Sequence, residues 1–102
     1  MAEIVWSQLA EDQLRRAVQY IQVEQGTFYA NLVLHKVFEA IENLEQFPRL
    51  GPIEPQLRHR KGEYRYVIAW SYKIVYRVTA RQIFIARIFH TSQKPTKLGK
   101  GK

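Results

Sequence analysis

The sequence has no cysteine, which excludes disulfides and thiolate metal sites and fits a cytosolic protein. No apolar run approaches the roughly 18 residues of a membrane span, so no membrane association is expected. The first residues, Met1-Ala2-Glu3-Ile4, show no basic segment followed by an apolar stretch, and a secretory signal is not expected. There is no Gly-rich phosphate loop. The three histidines, His35, His59 and His90, lack metal-ligand spacing, and Ser7, Ser71 and Ser92 have no His–acid grouping beside them in sequence. No metal and no cofactor is expected.

Acids are also scarce. Nine Asp and Glu face 16 Lys and Arg, a net charge of +7. A surplus this large favours polyanionic partners, such as nucleic acid, the ribosome or an acidic protein. With 102 residues, 46% of them hydrophobic, the chain can build one domain with one modest core. That domain is placed at residues 1–95, with a basic flexible tail over 96–102.

Residues 3–6 read as a short strand, and Ser7 as a helix N-cap. A first helix is predicted over 8–25, with Leu9, Leu14, Ala17, Val18 and Ile21 along one side. Gly26 stops it and Thr27 is placed to cap a second helix over 28–46. The stripe of that helix is Ala30, Val33, Val37, Ile41 and Leu44, widened by Leu34 and Phe38. Three of the four prolines, Pro48, Pro52 and Pro55, then mark a loop with Gly51. Leu57-Arg58-His59-Arg60-Lys61-Gly62 is a basic patch leading onward.

Two β-rich arms follow, residues 64–70 and 73–78, and a third strand is predicted over 83–89. With Ser71-Tyr72 as the loop, Trp70 sits opposite Lys73. One face then carries Tyr64, Tyr66, Ile68 and Trp70 with Lys73, Val75 and Arg77. The other carries Val67, Ala69, Ile74, Tyr76 and Val78, a core face. Arg65 and Arg87 fall away from the cationic face, to pair with helix acids or lie at the rim. The fold class is α+β: a short N-terminal strand and a long antiparallel helix hairpin packed on an antiparallel sheet with three C-terminal strands.

Particular residues say more. Phe47-Pro48-Arg49-Leu50-Gly51 closes the hairpin. Tyr64-Arg65-Tyr66 precedes Tyr72-Lys73-Ile74-Val75-Tyr76-Arg77-Val78, and Ile83-Phe84-Ile85-Ala86-Arg87-Ile88-Phe89-His90 leads to Gln93-Lys94-Pro95. From Ile4 to Leu98 the chain resembles the RelE/ParE superfamily of toxins from type II toxin–antitoxin (plasmid stabilisation) systems. The resemblance implies a cytoplasmic toxin held inactive by an antitoxin that wraps it. It implies two quite different activities. RelE-like members enter the ribosome and cut messenger RNA, which inhibits translation, whereas ParE-like members block DNA gyrase without chemistry.

The first reading taken is the ribosome-dependent, metal-independent endoribonuclease. Such cleavage needs a base for the 2′-OH, an acid for the leaving oxygen and cations for the phosphorane. Lys73 matches the position of a transition-state arginine in RelE-like nucleases. His90 stands where some nuclease members carry a catalytic histidine, and Tyr66 near a catalytic lysine. Tyr64, Arg77, Arg58, Arg60, Lys61 and Lys94 are the RNA-binding candidates. The chain departs from the nuclease pattern at Tyr64 and Tyr66, where lysines are expected, and at Ser92, where arginine is frequent. Those departures and the long hairpin favour the second reading, a gyrase inhibitor. A third is an inactive member that binds only its antitoxin.

Overall fold

The computed structural model describes residues 2–92. Lys94 and the tail over 96–102 lie outside the described residues. Seven elements follow one another: β1 (Glu3–Trp6), α1 (Gln8–Gln25), α2 (Thr27–Gln46), a 3-10 turn (Pro55–Leu57), β2 (Glu63–Ala69), β3 (Tyr72–Val78) and β4 (Gln82–His90). The sheet order is β1-β4-β3-β2. The three C-terminal strands are antiparallel, and β1 joins β4 in parallel, so the sheet is mixed.

The helices cover one face of the sheet. All five residues of the α2 stripe are buried, and Ala10, Leu14 and Ile21 bury the matching side of α1. Leu9 is exposed instead, because the short Ala10 is the residue that sits beneath the hairpin. These side chains meet Ala69, Ile74, Tyr76 and Val78 from β2 and β3, and Ile83, Ile85 and Ile88 from β4. Gly26 alone joins the helices. Its φ of 95° and its N–H, bonded to Ile21 and Gln22 carbonyls, end α1. Thr27 is already the first residue of α2 and does not cap it.

The β2–β3 turn is Trp70-Ser71, with Ala69 opposite Tyr72 and Ile68 opposite Lys73. The expected loop lay one residue later, which slides the pairing by two and leaves the residues that stay paired on their expected faces. Trp70 leaves the strand for the turn and takes φ 57°, a strained value for a bulky residue. Its ring rests on Tyr29 of α2 at 5.5 Å, and that contact offsets the strain.

A bulge in β4 changes more. Val75 pairs with Arg87 but Tyr76 with Ile85, so Ala86 is extra. The Ala86 carbonyl takes a hydrogen bond from Ser7 Oγ at 2.9 Å, and the same Oγ accepts from the Ala10 N–H at 2.9 Å. One hydroxyl therefore caps α1 and holds the bulge. Ser7→Ala is expected to cost about 1–2 kcal/mol in urea unfolding. A loss below a few tenths would show that neither bond matters.

The loop before β2 does not hang free. The Glu54 N–H donates to the Tyr64 carbonyl at 2.8 Å and the Tyr66 N–H to the Pro52 carbonyl at 3.1 Å. This strap covers part of the open β2 edge. Leu57 then turns onto the outer face of the sheet and buries Val75 among Tyr64, Tyr66 and Phe89. No helix among the described residues is long and apolar enough to cross a membrane.

Candidate functional site

The outer face, opposite the helices, gathers most of the sequence-predicted site. Strand alternation and the pairing place Tyr64 and Tyr66 beside Arg77, Val75 and Lys73. Beyond the bulge, β4 adds Arg87 and Phe89 to the same face, with Phe84 below it. Arg87 was expected on the other side. The extra residue at Ala86 inverts the alternation, and a bulge leaves no mark in a β-rich sequence.

Lys73 is not free. Its Nζ lies 2.7 Å from Glu54 Oε1 and 4.3 Å from the centre of the Tyr66 ring. Glu54 is fully buried. Its Oε2 accepts the Gln56 N–H at 2.9 Å and caps the 3-10 turn. Oε1 takes the ammonium charge without an aligned hydrogen bond. Glu54 was missed from sequence, although it is the only acid between Glu45 and Glu63 and sits within the proline loop.

The arginines are placed differently. Arg77 stands between Tyr64 and Phe84, its guanidinium carbon 5.7 Å from the Phe84 ring centre. Arg77 Nε is shut away from solvent and has no hydrogen-bond partner among the described residues. Burial pushes the Arg87 guanidinium below its usual pKa, and the nearby Arg60 charge adds to this while Tyr64 opposes it. Arg60 is half-buried; Arg58 and Lys61 are exposed. Among the described residues, none of these five cations has a carboxylate at ion-pair distance.

Arg65 does lie at the rim, but its acid is Glu63 of its own strand rather than a helix acid. It also donates to the Gly51 carbonyl at 2.8 Å. Arg49 forks onto the same Glu63 at 2.8 and 3.0 Å. The Arg49 bonds first, then those of Arg65, hold the Glu63 carboxyl below its ordinary pKa.

His90 is parted from this face. It pairs with Tyr72, on the helix side, and their rings meet edge to face at 5.3 Å. The Ser92 N–H donates to His90 Nδ1 at 3.1 Å, and Ser92 Oγ lies 2.8 Å from it. Ser92 thus serves the histidine locally. Burial raises the pKa of the Tyr72 phenol beside it. The expected grouping of His90 with Tyr64, Tyr66, Lys73 and Arg77 is not formed, because the bulge sends its side chain through to the other face. Lys94, the last of the sequence candidates, lies outside the described residues. Among the described residues no cluster of His, Asp and Glu is arranged to hold a metal.

A second surface lies between the helices. Leu14, Val18 and Leu34 line a groove of about 470 Å³ that ends at Trp6 and Phe38, whose rings are 5.8 Å apart. Glu11, Arg15 and Gln19 edge it.

The comparisons fit this architecture. No curated protein matches the chain. Twelve chains of solved structures do. One, from a chromosomal ParDE toxin–antitoxin system of P. aeruginosa, is 23% identical, with a TM-score of 0.72 over 88% of this chain and 96% of its own. At that identity the likeness speaks for the fold. The family model for the ParE toxin of the type II toxin–antitoxin system parDE matches residues 4–95, which takes in β1, both helices, the strap and all three C-terminal strands. The chain belongs to the ParE toxin family and is the toxin of a type II ParDE toxin–antitoxin system.

Proposed function

We propose that this toxin acts by binding alone, as an inhibitor of DNA gyrase, and that it does not cleave messenger RNA. The supporting observation is the state of the residues a nuclease would use. Lys73 is committed to the buried Glu54, and His90 lies across the sheet from it. Metal-free RNA cleavage needs an acid, a base and a free cation within reach of one phosphate. Tyr66 packs its ring against Lys73, 4.3 Å from the ammonium. Membership of the ParE family supports the same reading.

The cognate antitoxin is the second partner. Its apolar segment fits the groove between α1 and α2, and an acidic character would complement the +7 charge.

The test is a supercoiling assay with purified gyrase, run beside 5′-end mapping of messenger RNA after brief induction. Loss of supercoiling, gyrase–DNA cleavage complexes and intact messages are expected. His90→Ala is expected to leave the toxicity unchanged within twofold. New 5′ ends inside codons that vanish in the His90→Ala variant would return the ribosome-dependent endoribonuclease to first place.

A further inference from the structure

The β2–β3 turn holds a residue that the fold does not require. At φ 57° a glycine or asparagine sits with little strain, yet Trp70 stands there with 43% of its surface exposed. Its contact with Tyr29 offsets the strain but does not bury the ring. Trp70 also lines a cavity of about 120 Å³. Three tyrosines line it with Trp70, each from a different element: Tyr20 of α1, Tyr29 of α2 and Tyr72 of β3. The rings are tilted against one another rather than stacked, with 45° between Tyr29 and Trp70. His90 supports the Tyr72 ring edge to face at 5.3 Å.

The lining narrows the ligand. A space of this size holds one side-chain head and lies well below the ~300 Å³ at which drug-sized pockets begin. Aromatic faces are the negative side of the ring quadrupole and attract a cation. No Lys, Arg, Asp or Glu lines the cavity. Arg16 borders only the adjoining groove and is exposed, where salt screens its charge. The hydroxyls of Tyr20, Tyr29 and Tyr72 have no hydrogen-bond partner among the described residues, unlike that of Tyr76. Without a carboxylate to offset the loss of water, a compact ammonium is poorly served. A guanidinium is more weakly hydrated, stacks on rings and donates from its edge to hydroxyl oxygens.

We propose that Tyr20, Tyr29, Trp70 and Tyr72 form a cage for the guanidinium of an arginine side chain carried by a partner protein. The cage shares no residue with the groove between α1 and α2, and it does not depend on the gyrase reading.

The experiment is an NMR titration of the full chain with N-acetyl-arginine amide, N-acetyl-citrulline amide and N-acetyl-lysine amide, read at the Trp70 indole N–H and the Ser71 amide. Citrulline has the shape of arginine without its charge. The arginine probe is expected to saturate in the millimolar range, and the other two to bind about threefold or more weakly. Trp70→Leu should weaken arginine binding about fivefold, read at Ser71. If that turn variant does not fold, Tyr20→Leu, at a residue 64% exposed, should still weaken it about twofold. Changing Lys94, Lys97, Lys100 and Lys102 to Gln should leave the affinity as it is. A clear gain in that variant means that the chain's own lysines compete for the cage, which overturns a site kept for a partner's arginine. Citrulline that binds as tightly as arginine overturns the cage, since the cavity is then merely apolar. Lysine that binds as tightly overturns the choice of guanidinium. Shifts at the Trp6 indole alone, in the helix groove, overturn the site altogether.

Discussion

Glu54→Ala is expected to lower stability by about 3–5 kcal/mol, the cost of leaving one charge of a buried ion pair alone. Glu54 is fully buried, and Lys73 keeps only 19% of its side chain exposed. With the carboxylate gone, Lys73 Nζ has the Tyr66 face at 4.3 Å as its remaining stabiliser, and a cation–π contact of this kind is worth only about 0.5–2 kcal/mol. The Gln56 N–H also loses its acceptor, which loosens the 3-10 turn that carries Leu57 onto Val75. Lys73→Met alone strands the opposite charge and should cost a similar amount. The double change E54A/K73M removes both charges, so its loss should be well below the sum of the two single losses. Urea unfolding of the four proteins measures the coupling. Additive losses would mean that the two groups do not depend on each other, and the reading of Lys73 as a neutralised residue would go with them.

The pair also shows why one part of the site was legible in sequence and another was not. Alternation alone placed Tyr64, Tyr66, Lys73 and Arg77 on one face, and it survived a turn displaced by a residue because a slip of two restores the faces. The α2 stripe was legible for the same reason: helical period leaves five apolar residues on one side, and all five are buried. What alternation cannot show is an interruption. The bulge at Ala86 moved Arg87 onto the cationic face and His90 off it, and its stabilising partner, Ser7, is 79 positions away. Nor can it show where a loop will dock. The proline stretch reads only as a loop and the basic patch only as a segment leading onward, yet Leu57 is among the buried residues and Glu54 occupies the cation a nuclease would need. Local pattern therefore carried the family and the architecture. Long-range contacts set the chemistry.

Gly51→Ala should have the second large effect, through the same strap but by sterics alone. A Cβ at Gly51 would lie 1.8 Å from the Tyr66 carbonyl oxygen and 2.7 Å from its carbon. Both are backbone atoms of a paired strand, so β2 cannot yield without losing its ladder with β3. Gly51 must move instead. It then gives up the bond from its N–H to Tyr76 Oη at 3.1 Å and the one from Arg65 to its carbonyl at 2.8 Å. Tyr76 is wholly buried, so its hydroxyl is left without that partner. Overpacking of this kind plus the loss of one buried and one part-buried bond amounts to about 3–5 kcal/mol. Tyr76→Phe, which removes one bond and no space, should cost only about 1–2 kcal/mol. Hydrogen exchange distinguishes local release from general softening. The Glu54 and Tyr66 amides, which tie the strap to β2, should lose protection in the Gly51→Ala protein, while those inside the β3–β4 ladder keep it at mild denaturant. If the two strap amides stay as protected as in the parent, the strap is not pinned at Gly51, and the position of Glu54 over Lys73 must be set by Leu57 and the 3-10 turn instead.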